Sequence, residues 1–157
     1  MQEKAWQTYE QVATYLLNEL ASEFGLTKVE GKQSVAGQSG ASWEIDAKGI
    51  KSNNEGFFII EARRYTTGRL NQEALGGIAF RIIDTGATGG IVVSPLGLQE
   101  GAKTVASSRN IISVQLEANS SVSEYLMRFL DRVMLGTTDS IQTSAPGILS
   151  GTLTKER

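Results

Sequence analysis

The sequence predicts one α/β domain built on a mixed central β-sheet, and three observations carry that prediction. Apolar runs at residues 57–62, 91–94 and 111–116 have the length and composition of strands covered on both faces. Segments with apolar residues at helical spacing lie between them, so strands alternate with helices along the chain. A further run at residues 43–48 alternates polar and apolar side chains, the period of two of a strand with one solvated face.

Taken in order, residues 3–24 read as an amphipathic helix. Trp6, Tyr9, Ala13, Leu16, Leu17, Leu20 and Phe24 recur at helical spacing, and Gly25 stops it. Residues 26–29 form a short strand, and residues 31–42, polar and rich in Gly and Ser, read as a mobile loop. After the strand at 43–48, a turn through 49–56 containing Asn53 and Asn54 leads into the apolar strand at 57–62. Residues 66–71 are a polar connector. Residues 72–83 are helical through Leu75, Ile78, Ala79 and Ile82. Gly76 and Gly77 weaken that helix by about 1 kcal/mol each, which points to close packing or backbone approach at the pair.

Gly89 and Gly90 precede the strand at 91–94, residues 98–107 are helical, and residues 111–116 form a third apolar strand. A last amphipathic helix starts at Ser121 and carries Val122, Tyr125, Leu126, Phe129, Leu130, Val133 and Met134. After Gly136 the composition changes to Thr, Ser, Gly and Pro. The chain is thus divided into a domain over 1–136 and a polar tail over 137–157 that cannot bury enough surface to order alone.

Composition narrows the chemistry. The 157 residues are 40% hydrophobic and 20% charged, as in an ordinary globular domain with a proper core. No stretch approaches the roughly 20 apolar residues of a membrane span, and no signal-peptide pattern opens the sequence, so a cytoplasmic protein off the membrane is expected. There is no cysteine and no histidine. Disulfides, thiolate nucleophiles, zinc–thiolate or zinc–imidazole sites and histidine acid–base catalysis are therefore excluded. Catalysis would run on carboxylates, Lys, Arg, Ser, Thr, Tyr or a bound metal. The net charge of −2 exerts no global pull on nucleic acid, although carboxylates that hold a cation make the formal value too negative.

The chemistry-bearing pattern spans two neighbouring strands. Residues i and i+2 of a strand share a face, so Glu44, Asp46 and Lys48 project together, as do Glu61 and Arg63. If the strands pair, Asp46 and Glu61 converge on one divalent cation with a basic group beside them, the layout of a metal-dependent phosphodiesterase. The bland reading makes the alternating charges of 43–48 the wet face of an edge strand. That reading is weaker for Glu61, which follows four apolar residues, because a buried carboxylate is costly unless paired or metal-bound. Arg63, Arg64 and Tyr65, with Arg69 and Arg81, form the dense basic cluster, either a phosphate-facing patch or ion-pair partners for Glu61, Glu73 and Asp84. Glu10, on the first helix, is either an outer metal ligand or a solvated helix residue. Residues 86–90 precede a strand and lack a Gly-Lys-Ser/Thr ending, so they read as a turn rather than a phosphate loop. Ser94 has no base partner for hydrolase chemistry.

In order and context these segments resemble the Mrr-like branch of the PD-(D/E)xK restriction-endonuclease superfamily. The aromatic–Glu pair is Tyr9-Glu10. The glycine loop and acidic strand run from Gly40 through Glu44-Ile45-Asp46. The acid-x-basic-basic-Tyr end of the apolar strand is Glu61-Ala62-Arg63-Arg64-Tyr65. The Gly-Ile-Val-Val-Ser strand, the helix with Gly101-Ala102 and Val105-Ala106, and the strand at 111–116 complete a likeness covering about residues 5–117. The resemblance implies a restriction-endonuclease-like mixed central sheet flanked by helices. It also implies a Mg2+-dependent endonuclease on duplex DNA, with Mn2+ able to substitute. Asp46 and Glu61 would be the metal-binding acids, Glu10 an accessory acid, and Arg64, Arg69 and Lys51 the contacts to the DNA backbone.

One departure matters: the family's lysine falls on Arg63, which stabilises charge but cannot release a proton at workable pH. Either Lys48 takes over from the neighbouring strand, or water or a substrate phosphate is the base, or the domain is a silent nuclease fold used for DNA binding or assembly. A small-molecule hydrolase or nucleotide-binding domain is the weakest alternative. By analogy with dimeric relatives, the last helix and tail are the expected interface with a second subunit or a partner protein.

Overall fold

The structure, a computed structural model, describes residues 8–52 and 55–117 and the strand at 141–143. Helix α1 (Tyr9–Glu19) starts where the Thr8 side chain accepts a hydrogen bond from the Gln11 N–H at 3.1 Å, and a 3-10 turn (Ala21–Phe24) follows it. Gly25, at φ 74°, reverses the chain in the left-handed region that glycine tolerates best. The single helix expected through Phe24 is therefore a helix and a tighter turn, and Trp6 lies outside the described residues.

Strands β1 (Leu26–Glu30), β2 (Gln33–Ala36), β3 (Ser42–Ile45), β4 (Ala47–Lys51) and β5 (Phe57–Ala62) come next. Then helix α2 (Gln72–Thr85), β6 (Gly89–Ser94), helix α3 (Glu100–Ser108), β7 (Ile111–Gln115) and β8 (Ile141–Thr143) complete the described elements. The main sheet has the order β1-β4-β5-β6-β7-β8, and β2 with β3 makes a separate two-stranded ribbon. Strands β1, β4 and β5 pair antiparallel, β5, β6 and β7 pair parallel, and β8 returns antiparallel to β7. The parallel pairs are those that α2 and α3 join, as a crossover connection requires. The α/β class with a mixed central sheet flanked by helices is thus the observed architecture. Strand β8 comes from the segment read as a tail, with Ile141 opposite Val114. The helix expected from Ser121 lies outside the described residues.

Two apolar cores sandwich the sheet. Phe58, Ile60, Ala62, Ile91, Val93, Ile112 and Val114 face the α1 side, with Leu16, Leu17 and Phe24 packed on them. Ile59, Val92 and Ile111 face the other side with Leu75, Ile78 and Ile82 of α2 and Ala102 and Ala106 of α3. All of β6 is buried, the condition its unbroken apolar run predicts. Each such Val or Ile contributes about 1.5–3 kcal/mol by leaving water. No helix among the described residues is long and apolar enough to cross a membrane.

Three expectations are corrected. Part of the loop at 31–42 is strand: β2 pairs with β3, from Gln33 opposite Ile45 to Ala36 opposite Ser42. The run 43–48 is not one strand, because it breaks at Asp46. Ile45 enters the α2-side core and Ala47 the α1-side core, whereas i and i+2 of a regular strand share a face. The chain therefore changes sheets across Asp46, and the strand beyond it runs on to Lys51. Finally, Gly76 and Gly77 are exposed, with no atom of the described residues within 4 Å of where a Cβ would stand, so no close approach among those residues explains them. The close approach is at Gly89 and Gly90, where a Cβ would come 2.6 Å from the Asn110 carbonyl and 3.0 Å from that of Ile59.

Candidate functional site

The break at Asp46 and the carboxyl end of β5 meet at one corner of the sheet. Asp46 Oδ2 accepts the Ala62 N–H at 2.8 Å, which ties the hinge between β3 and β4 to the last residue of β5. One residue earlier, Glu61 projects to the α2 side with its side chain 2% exposed. Its Oε1 accepts from Arg63 Nη1 at 2.9 Å and its Oε2 from Arg81 Nη1 at 2.5 Å. The same Arg63 nitrogen stands 3.8 Å from Asp46 Oδ2. Two carboxylates and two guanidiniums thus form one charge-balanced cluster. Burial pushes the Glu61 carboxyl above its ordinary range, Arg63 and Arg81 pull it down, and the Asp46 charge adds to the rise.

Arg81 is the member whose partner the sequence did not single out. It rides on α2, whose start is capped by the Asn71 side chain at 2.9 Å from the Ala74 N–H. The buried stripe of Leu75, Ile78, Ala79 and Ile82 seats that helix on the sheet and leaves Arg81 at the border of the interface. Its guanidinium carbon lies 5.2 Å from the Trp43 ring, and Nη1 also reaches the Glu44 carbonyl at 3.3 Å. Trp43 is itself fixed: its Nε1 donates to Asp84 Oδ2 at 2.8 Å, and its ring meets Phe80 edge-on at 6.0 Å. Asp84 is buried at 5% exposure and also accepts from the Ser39 N–H and hydroxyl at 2.8 and 2.7 Å. The Trp43 bond foremost, then those from Ser39, hold its carboxyl below the usual range. The β2–β3 ribbon is thereby anchored to α2 beside the acid pair. Of the two readings of the basic cluster, ion pairing describes Arg63 and Arg81.

The other sequence-predicted residues lie elsewhere. Lys48 stands opposite Ile59, two residues from Glu61 along β5, and places its ammonium 4.7 Å from the centre of the Phe57 ring. Lys51 sits 4.9 Å from the Phe58 ring, in the core on the α1 side, hence on the opposite face of the sheet from Glu61. Glu44 is exposed on the ribbon. Glu10 is half-buried on α1, where its carbonyl accepts from the Thr14 hydroxyl at 2.8 Å. Among the described residues no three acids come together as a cation site, so Glu10 does not complete such a group with Asp46 and Glu61. Arg64 and Arg69 are exposed on the connector after β5, and the Arg69 carbonyl accepts from Gln99.

As a metal site the corner offers the right donors in a committed state. Magnesium takes hard oxygen ligands and is commonly held by one or two protein carboxylates, a number that Asp46 and Glu61 could supply. Both oxygens of Glu61, however, are already held by guanidinium groups.

No protein-family model matches the sequence, and no curated protein matches it either. Among solved structures, the protein of unknown function AF1548 is similar over 76% of this chain and 65% of that one, with 17% identity and a TM-score of 0.59. A repair endonuclease from Pyrococcus abyssi is similar over 74% of this chain and 50% of its own, with 18% identity and a TM-score of 0.44. The chain spans 65% of the length of the AF1548 protein, and that likeness is one of fold.

Proposed function

We propose that the chain is a Mg2+-dependent endonuclease that hydrolyses phosphodiester bonds of duplex DNA, with Asp46 and Glu61 as its acid pair. The observation that carries this reading is the meeting of those two carboxylates with Arg63 at the corner where β4, β5 and β6 converge. Burial to this degree is unfavourable for a carboxylate without a specific charge partner, and such sites are where function concentrates. Asp46 and Glu61 would hold the metal, which when bound supplies a Lewis acid and an activated water. The Arg63 guanidinium would stabilise the charge that develops on the phosphoryl oxygens and would not act as the base. Lys48 or a water would be that base; Lys48 stands opposite Ile59 of β5, with its ammonium over the Phe57 ring. Arg64 and Arg69 would face the DNA backbone.

A second reading has its own observation. The full pairing of Glu61 with Arg63 and Arg81 balances the cluster without a metal, as in a silent nuclease fold that binds DNA or assembles with a partner. Incubating supercoiled plasmid with Mg2+ or Mn2+ separates the two. Metal-dependent nicking that is lost in folded Asp46→Ala and Glu61→Ala variants establishes the nuclease. Binding of DNA without nicking under either metal overturns it in favour of the silent fold.

A further inference from the structure

We propose that Arg81 is the resident counter-cation of Glu61 and that a divalent ion enters the site by exchanging with it. The inference rests on the nuclease reading and concerns how that site is loaded. Glu61 is almost fully buried and has one guanidinium on each oxygen, so a cation ligated by this carboxylate competes with them for its lone pairs and for the space around it. The two arginines are not equivalent in this respect. Arg63 follows Glu61 by two residues, just past the end of β5, and also faces Asp46, so both carboxylates hold it. Arg81 reaches Glu61 from α2, 20 residues away in sequence. It has a second seat already built, the Trp43 ring and the Glu44 carbonyl of β3.

That second seat makes exchange feasible. An arginine leaving Glu61 keeps a cation–π contact and a carbonyl acceptor rather than losing all partners. The seat is rigid, because Trp43 is bonded to Asp84 and packed against Phe80. The ribbon that the sequence presents as a loop therefore holds Arg81 in both states. Arg81 is a positioning residue: it sets how readily Glu61 accepts an ion.

The test is calorimetric titration of the full chain with Mn2+, without DNA, for wild type, Arg81→Gln and Arg81→Lys, after circular dichroism and melting establish that each is folded. Removing a positive charge a few Å from the incoming ion should tighten Mn2+ binding by about tenfold or more in Arg81→Gln. Arg81→Lys, which keeps the charge, should stay within about threefold of wild type. Wild-type binding with unchanged or weaker affinity in folded Arg81→Gln overturns the exchange and leaves the nuclease reading standing. Absence of Mn2+ binding in all three overturns both. If Arg81→Gln does not fold, Trp43 emission decides in a Trp6→Phe background, where Trp43 is the remaining indole. Arg81 already lies over this ring, so emission that changes with the calorimetric midpoint during a Mg2+ titration supports its shift against the ring as it leaves Glu61, and emission that stays constant while ion binds overturns it.

Discussion

Glu61 stands in a position where burial and charge pairing act in opposite directions. Burial raises its pKa from the ordinary 4.5, and this outweighs the pull of Arg63 and Arg81. A folded-state pKa above the unfolded one means that the folded protein binds more protons than the unfolded chain in the interval just above 4.5. Stability then falls as pH rises through that interval, the reverse of the usual paired carboxylate. Glu61→Gln removes the titration, and its loss of ion pairing is an offset on top. The difference in Tm between variant and wild type should therefore climb as pH is raised from about 4.5, in melts taken from about pH 4 to 8. A difference that is flat with pH would show that the arginines hold Glu61 at its unfolded value. The same residue is where the sequence was most informative, since an acid after four apolar strand residues demands a partner. Which members of the basic cluster pair with it was not legible: Arg63 follows just past the end of β5, while Arg81 arrives from helix α2, 20 residues on.

At the scale of elements, α2 carries a testable irregularity. Gly76 and Gly77 sit on its exposed face, and alanine at either position meets no neighbour among the described residues. Helix propensity and the loss of unfolded-state freedom then predict a gain of about 0.5–1 kcal/mol for each substitution, read from urea unfolding midpoints. A loss of stability in either variant would mean that a contact absent from the described residues covers this face. The glycines were read from sequence as a packing site because their cost was visible and their surroundings were not. Buried strands and helices were legible for the converse reason: β5, β6 and β7 announce themselves by composition, and α2 by the stripe Leu75, Ile78, Ala79, Ile82. Strand β2 did not, since Val35 is its one large apolar residue. What shapes that ribbon is pairing with β3 and the anchoring of Ser39 and Trp43 by Asp84, more than 40 residues away. The break at Asp46 was hidden likewise, because alternation of polar and apolar residues continues through it while the backbone changes sheets.

On the scale of the whole molecule, electrostatics and topology jointly decide which surface would meet DNA under the proposed function. With a net charge of −2 the chain has no overall attraction for a polyanion, so phosphate contacts must come from a local group of cations. Topology divides the sequence-predicted group: Arg64 and Arg69 lie on the exposed connector that follows β5, while Lys51 belongs to the opposite face of the sheet from Glu61, over Phe58. A duplex laid across the corner of Asp46 and Glu61 can then neutralise phosphates through the connector but not through Lys51. Each phosphate contact contributes about 0.9 to the slope of log K against log salt on B-DNA. Arg64→Ala and Arg69→Ala should each reduce that slope by about 1, in binding titrations with Ca2+ in place of Mg2+. Lys51→Ala should leave the slope unchanged. A Lys51→Ala variant that flattens the slope as much as the arginine variants would put the duplex on the α1 side of the sheet, away from the carboxylates. That result would sever DNA binding from the acid pair and leave the corner of Asp46 and Glu61 as a structural ion-pair cluster.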